Sequence, residues 1–245
     1  MATRSKLKIL YIGILPPEFG GKMRGGVATY ASELATQAVK HGYEVYFLTE
    51  TAGGSPKTQF NLLEWPKYHK LQKALLGFET LLRHKESLSH FRKFMGIRNI
   101  LAVYYKFRVL QPIIQSVKPD LIHVLYLQDP VVFSISILED HPPMIVTDHG
   151  IGVVFERGLE KEYGVDVDNA KGLQLAIEAI NVSQHVICVS DFARSALLRT
   201  FENSIKDPSK ISAILNPIDI NKYTLLDKES IKWNLELEGK NIILF

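Results

Sequence analysis

The residues of this sequence that could do chemistry begin with two glycine pairs. Gly20–Gly21 and Gly25–Gly26 lie between the apolar run LKILYIGI and a helical pattern that starts at Val27. Glycines in such a loop let a ligand approach the backbone, and the free N–H groups at a helix N-terminus attract phosphate. The spacing indicates either an anion-binding loop or, as the alternative, a plain flexible turn.

The loop matches neither of the two common phosphate-binding motifs. The dinucleotide fingerprint G-x-G-x-x-G is absent, because the glycines have another spacing and the loop is too long for its tight turn. The P-loop is absent, because Gly21-Lys22 is followed by Met23 instead of Ser or Thr. Glu50 follows the second predicted strand, where a ribose-binding acid would sit, so a dinucleotide-dependent oxidoreductase stays as a disfavoured alternative.

Further polar residues follow two other apolar runs. Asp148 and His149 end the run in PPMIVTDHG, and Ser190 ends the run HVICVS. His149 could face a ligand or satisfy a turn, Asp148 could orient His149 or cap the next element, and Ser190 could cap a helix or contact a ligand. Ligands of parallel sheets bind beyond the carboxyl ends of the strands. The residues that follow strands are therefore predicted to line one cleft: Gly25, Gly26, His149 and Ser190.

The elements that must position these residues alternate along the chain. Six short apolar runs predict strands at 7–13, 43–49, 120–125, 143–148, 186–190 and 211–215. Helical patterns separate them, and the segment of about 68–117 is mostly helical, with breaks expected at Gly77 and Gly96. This alternation predicts an α/β fold, a Rossmann-like parallel sheet with helices on both faces and with 68–117 as a helical insertion.

The composition is that of a globular protein and excludes several classes. Of the 245 residues, 46% are hydrophobic and 22% are charged, and no apolar stretch approaches the roughly 18 residues of a membrane span. The N-terminus is interpreted as a first strand and not as a signal peptide, and the single cysteine, Cys188, as a small buried hydrophobe. No cluster has metal-ligand spacing, so no metal is expected. A cytoplasmic protein is the simplest interpretation.

The charge is unevenly distributed. The net charge is +3, but residues 67–108 contain ten Lys or Arg against two Glu, a net +8, so the remainder carries −5. Apolar and aromatic residues are interleaved with these cations. Such a segment could lie on an anionic membrane surface, which would make the protein membrane-peripheral, or hold an anionic acceptor; a solvated helical insertion is the alternative. No nucleic-acid motif accompanies the charge, so nucleic acid is not expected as a partner.

The order of these features resembles the retaining glycosyltransferases of family 4, which have the GT-B fold. The matching segments are PPEFGGKMRGGVATYASELATQAVKHGYEVYFLT, KPDLIHVLY, PPMIVTDHG, HVICVSDFAR and ISAILNPIDINKY. They correspond in order to the family's glycine-rich first loop and helix, its Pro-Asp-x-x-His strand, its Thr-x-His strand end, its serine-ended strand and its Asn-(Gly/Pro)-x-Asp hinge. Each motif is weak alone, but five in the same order over most of the chain form a strong signal.

The resemblance implies roles for the glycine loop and the histidine. The backbone N–H groups of Gly25 and Gly26 would meet the diphosphate of a nucleotide-sugar, which is the donor substrate, and no separate cofactor is expected. His149 matches the histidine that faces the sugar and the acceptor, so it is the expected catalytic residue.

The resemblance also implies roles for five other residues. Asp148, Ser190 and Arg194 would lie in the cleft on the acceptor side. Asn216 and Asp219 match the hinge motif and would fix the hinge instead of touching substrate. A glycan or a lipid-linked molecule is the expected acceptor.

The resemblance covers only half of a GT-B enzyme. The family's Glu-x(7)-Glu segment and the basic pair that holds the donor phosphates belong to a second domain, and neither is in this sequence. Residues 1–220 are expected to form the N-terminal, acceptor-side domain, and 221–245, ending in GKNIILF, a linker and the first strand of a C-terminal domain. The expected function is that of the N-terminal part of a glycosyltransferase, inactive as an isolated fragment; a non-catalytic nucleotide- or glycan-binding module is the alternative.

Overall fold

The centre of the molecule is a seven-stranded parallel sheet. A computed structural model describes residues 6–51, 58–138, 140–158 and 169–216, with the side chains of 169–172 left out. The strands are β1 (Lys8–Ile12), β2 (Glu44–Thr49), β3 (Asn61–Glu64), β4 (Leu121–Val124), β5 (Met144–Asp148), β6 (His185–Cys188) and β7 (Ile211–Ala213). Their order is β3-β2-β1-β4-β5-β6-β7, and every neighbouring pair is parallel.

The six predicted strands are confirmed, each to within two residues at either end. Their near-continuous apolar runs are buried because helices cover the sheet. The strand β3 was not predicted. It has only the sequence NLLE, lies at the edge of the sheet and leaves its first and last residues exposed, so no hydrophobic periodicity marks it.

Eight helices surround the sheet in the described residues. They are α1 (Gly26–Lys40), α2 (Lys70–Arg83), α3 (Leu88–Phe91), α4 (Ile97–Val117), α5 (Val131–Ser136), α6 (Ile151–Glu156), α7 (Asn169–Val182) and α8 (Asp191–Thr200). The helix α1 packs its small buried face on Tyr11 and Phe47 of one face of the sheet. Residues of α2, α4, α5, α7 and α8 join the larger core on the other face. The predicted Rossmann-like architecture is therefore correct.

The segment predicted as a helical insertion forms the crossover from β3 to β4. Its helices are α2, α3 and α4, and Gly96 precedes α4 as predicted. The break predicted at Gly77 is wrong, because this glycine lies inside α2. A Cβ there would come within 2.3 Å of the carbonyl oxygen of Leu101, so the glycine allows α2 and α4 to pack closely.

The structure does not describe every residue for which the sequence makes a prediction. Asp219 and the segment 221–245 lie outside them, so the proposed domain boundary stays a prediction. Within them, no helix combines the length and the hydrophobicity that crossing a membrane requires. Cys188 is fully buried in β6, as predicted.

Candidate functional site

The polar residues that follow the strands meet at the carboxyl edge of the sheet. Because the strands are parallel, the loops after β1, β4, β5 and β6 open on the same edge. The strand order changes direction between β1 and β4, which are neighbours, and such a switch point leaves a crevice between the loops. Two adjoining cavities occupy this edge.

The first cavity, named here the His149 cavity, has a volume of about 500 Å³. Its wall includes Val27, Tyr126, Asp148, His149, Ser190 and Phe192. Three residues predicted for the cleft therefore share one cavity: Asp148, His149 and Ser190. Gly25 and Gly26, which were also predicted to line the cleft, are not among its lining residues, but Val27, which directly follows Gly26, is.

The ring of His149 is fixed by two neighbours. Its Nε2 lies 3.1 Å from the carbonyl oxygen of Leu125, and Tyr30 meets it edge-on with 5.4 Å between the ring centroids. A carbonyl oxygen only accepts, so Nε2 carries the hydrogen and Nδ1 of the neutral ring is an acceptor. Burial lowers the pKa of His149, opposed by the hydrogen bond to Leu125, so the ring is neutral at pH 7.

Asp148 acts as a cap in the structure. Its Oδ1 accepts a hydrogen bond of 2.9 Å from the backbone N–H of Ile151 at the start of α6. Its Oδ2 is buried and has no hydrogen-bond partner among the described residues. Burial raises the pKa of Asp148 to about 6, although backbone hydrogen bonds from Ile151 and Gly150 oppose the rise. The cavity thus has in its wall a carboxyl group that gains or loses its charge just below neutral pH.

Ser190 and Arg194 lie in different surroundings. Ser190 caps α8, because its Oγ accepts a hydrogen bond of 3.0 Å from the backbone N–H of Ala193, and it also lines the His149 cavity. Arg194 donates from Nε to the carbonyl oxygen of Ile211 at 2.9 Å and so joins α8 to β7. Its predicted contact in the cleft stays a prediction.

The two glycine pairs have different structural surroundings. A Cβ on Gly21 would lie 1.8 Å from the carbonyl oxygen of Leu15, and Gly20 has φ +87°, so the folding of the loop on itself requires both glycines of the first pair. Gly25 has φ +131°, which side chains rarely adopt, and a Cβ on Gly25 or Gly26 would meet nothing within 4 Å. The second pair therefore faces open space at the start of α1, where the first N–H groups of the helix have no intrahelical partner.

The second cavity, named here the Trp65 cavity, has a volume of about 400 Å³ and shares Val27 and Tyr126 with the first. Trp65, Met23 and Leu125 give it apolar walls. The wall also contains two ion pairs, Lys22–Glu50 at 3.5 Å and Lys106–Asp129 at 2.5 Å. The Lys106 ammonium lies 5.4 Å from the centre of the Trp65 ring.

Most residues of the Trp65 cavity were missed from the sequence, and Glu50 was named only as the acid of the disfavoured dinucleotide site. Trp65 directly follows β3, the strand that the sequence pattern does not show. Lys106 comes from the middle of α4, and Asp129 from the loop after β4. Trp65 would have indicated this site if β3 had been recognised as a strand, because residues that follow strands line the carboxyl edge of the sheet.

A buried polar layer lies beneath the His149 cavity. His123 of β4 pairs its Nε2 with the hydroxyl of Thr147 at 2.8 Å, and burial lowers the pKa of His123 to about 3. This histidine therefore stays neutral and adds no charge to the site. Asn216 is exposed at the end of the described residues, and among those residues no group of three or more His, Cys, Asp or Glu could hold a metal ion.

Solved structures share this fold over almost the whole chain. They include sucrose-phosphate synthase from Thermosynechococcus elongatus (15% identity, TM-score 0.60, 95% of this chain and 53% of that chain). HepE from Anabaena, in complex with UDP-glucose, has 15% identity and a TM-score of 0.58 over 95% of this chain and 50% of that chain. A glycosyltransferase from Rickettsia africae has 14% identity and a TM-score of 0.53 over 96% of this chain and 51% of that chain.

The chain spans about half the length of these structures, and at such identities the likeness concerns the fold. No curated protein sequence gives a significant match. The sequence model of Glycosyltransferase Family 4, however, matches residues 24–222, from the second glycine pair to the hinge motif. This chain belongs to Glycosyltransferase Family 4.

Proposed function

We propose that this chain is the acceptor-side domain of a retaining glycosyltransferase that transfers a sugar from a nucleotide-sugar to an acceptor. The observation that carries the proposal is the open space at Gly25 and Gly26 beside the cavity that contains His149. The family membership supports a transferase, and HepE, solved in complex with UDP-glucose and with UDP, supports a nucleotide-sugar as donor.

The glycine pair would bind the donor diphosphate through the backbone. The first N–H groups of α1 and the positive end of its dipole favour an anion, and the missing side chains allow the phosphate to come close. Sugar transfer requires the protein to stabilise the negative charge that develops on the leaving diphosphate. The donor supplies the reacting bond, so the proposal includes no cofactor.

His149 would face the transferred sugar. With its hydrogen engaged by Leu125, the neutral ring offers Nδ1 as an acceptor for a sugar hydroxyl. Ser190 and Asp148 would contact hydroxyl groups in the same cavity, and Arg194 would hold the start of α8 in position. Asn216, and Asp219 outside the described residues, would fix the hinge to a second domain.

The acceptor would occupy the Trp65 cavity. The flat apolar face of a tryptophan suits the C–H face of a sugar ring, and the two ion pairs beside it offer polar contacts for hydroxyl groups. The shared residue Tyr126, which is half exposed, would then separate donor from acceptor.

The test is turnover by the protein in its full natural length. It is incubated with a panel of nucleotide-sugars that includes UDP-glucose, and the released nucleoside diphosphate is measured with and without candidate glycan and lipid-linked acceptors. Acceptor-dependent release is the expected result. Tight nucleotide binding without release under any condition would favour the alternative, a non-catalytic binding module.

A further inference from the structure

The outer face of α2 exposes an apolar stripe. Its members recur at i, i+4, i+7 and i+11, within an arc of roughly 60° of the helix. They are Leu71, Leu75, Phe78 and Leu82, which are 71%, 59%, 52% and 63% exposed. An exposed and contiguous row of large apolar side chains on a soluble domain marks a surface that meets another apolar medium.

The packing of α2 on α4 holds the stripe outward. Gly77 lies against the backbone at Leu101, where any Cβ would come within 2.3 Å of the carbonyl oxygen. Thr80 and Leu81 are buried on the same inner side, and Lys73 lies over the ring of Tyr105. The helix therefore cannot rotate to bury the stripe without losing this close contact.

The segment that carries the stripe is positively charged. Eight cations of the segment 67–108 are exposed: Lys67, Lys70, Arg83, Lys85, Arg92, Lys93, Arg98 and Arg108. The two acids of the segment are Glu79, which is paired with Arg83 at 2.6 Å, and Glu86. Two copies of this chain meeting through their stripes would bring like charges together, whereas an anionic surface complements them.

We propose that the apolar stripe and the cations around it bind an anionic lipid bilayer. The helix α2 lies in the plane of the interface, with its four apolar side chains at the acyl boundary and with lysines and arginines at the lipid phosphates. Each exposed cation near such a surface strengthens binding about fivefold at low salt. Salt weakens this electrostatic contribution but not the contribution of the apolar side chains.

The N-terminal end of α2 adjoins the candidate acceptor cavity. A depression of about 310 Å³, lined by Lys67, Tyr68 and Lys73 at the start of α2, shares Lys22 and Trp65 with the Trp65 cavity. Resting on the proposed function, this continuity assigns a lipid-linked acceptor, whose head group reaches the Trp65 cavity while its lipid stays in the bilayer.

The test is co-sedimentation of the chain with vesicles of phosphatidylcholine, with and without phosphatidylglycerol, at low and high salt. Leu71→Gln and Leu75→Gln test the stripe, and Lys70→Glu and Lys85→Glu test the charge. Leu7→Gln, at a leucine that is 56% exposed before β1, and Lys206→Glu, after α8, are the matched controls. Thermal unfolding followed by circular dichroism shows that each variant is folded.

Binding to the anionic vesicles is expected, reduced but not abolished by high salt, with little binding to phosphatidylcholine alone. At low salt, each stripe substitution should weaken binding about tenfold, and each charge reversal, which changes the charge by two, about 25-fold; the controls should leave it unchanged. Absence of binding at low salt, or equal binding by the stripe variants, would overturn the proposal. So would self-association of the chain that the stripe variants lose. Vesicle binding needs no nucleotide, and His149→Ala should leave it intact. Absence of vesicle binding can therefore be distinguished from absence of sugar transfer.

Discussion

The ring of His149 stands edge-on to the ring of Tyr30, at 84° and with 5.4 Å between centroids. Tyr30 belongs to the first turns of α1, and His149 follows β5. The contact connects the helix that begins at Gly26 with the strand end that bears the histidine. The glycine pair and His149 are therefore parts of one structural unit, although they are far apart in the sequence.

Replacing His149 should impair turnover more than stability. His149→Ala removes one hydrogen bond and one ring contact, which together stabilise the fold by about 1–2 kcal/mol. We expect kcat for nucleotide release to fall about a hundredfold or more if the ring faces the reacting sugar. The matched control is His185→Ala at the start of β6. The Nε2 of His185 shares a hydrogen bond with the hydroxyl of Ser212 in β7, and His185 lines neither the His149 cavity nor the Trp65 cavity. Equal effects of the two substitutions on kcat would assign His149 a structural role.

Gly26→Ala should weaken donor binding without weakening the fold. A Cβ at this position meets nothing in the protein, and alanine is the better helix former, so the free energy of unfolding should stay the same or rise by up to about 1 kcal/mol. The methyl group would hold a diphosphate away from the backbone, so the affinity for UDP-glucose should fall. Gly96→Ala is the control, because it also faces open space at a helix start. Calorimetric titration in which both variants bind alike would argue against phosphate contact at Gly26.

Asp148 should make the folded state less stable as the pH rises from about 4 to 6. Its pKa is raised from 3.8 to about 6 by burial, so between these values the folded state binds a proton that the unfolded state has lost. Ionisation then costs at most about 3 kcal/mol of the free energy of unfolding. Asp148→Asn keeps an acceptor for the N–H of Ile151 and lacks the charge. The advantage of this variant in urea unfolding should therefore grow from pH 4.5 to pH 7.5; a constant difference would contradict the raised pKa.

Cys188 should report unfolding. It is the single cysteine of the chain, lies fully buried in β6, and burial raises its pKa to about 12. A thiol reagent such as dithiobis(nitrobenzoate) should therefore react only as the sheet opens, at a rate that increases with urea. Rapid labelling in the absence of denaturant would show that β6 is accessible.

The sequence predicts those parts of the fold whose pattern is strong. Six short apolar runs predicted six strands, and the helical pattern that starts at Val27 predicted α1. The edge strand β3 was missed because four residues with exposed ends carry no period. With it the Trp65 cavity was missed, since that cavity depends on contacts among Trp65, Lys106 and Asp129, which no local pattern links.

The roles of glycines depend on contacts that a sequence does not contain. Gly77 was predicted to break a helix, but the nearby backbone of Leu101 makes it a packing residue. Likewise, only the structure separates Gly21, which is crowded by Leu15, from Gly26, which faces open space. The direction of the stripe on α2 was not predictable either, because both faces of this helix bear apolar residues and only Gly77 decides which face packs inward.

We propose that the carboxyl edge of this sheet binds the diphosphate of a nucleotide-sugar at Gly25 and Gly26, beside His149. This binding is tested most directly by titrating the ¹⁵N-labelled protein, in its full natural length, with UDP-glucose and following its amide and histidine-ring NMR signals, with uridine and glucose added separately as controls. We expect UDP-glucose to shift the signals of Gly25, Gly26, Val27 and His149 together, and uridine and glucose to leave the glycine amides unchanged. Shifts confined to other parts of the chain, or none at millimolar UDP-glucose, would contradict it.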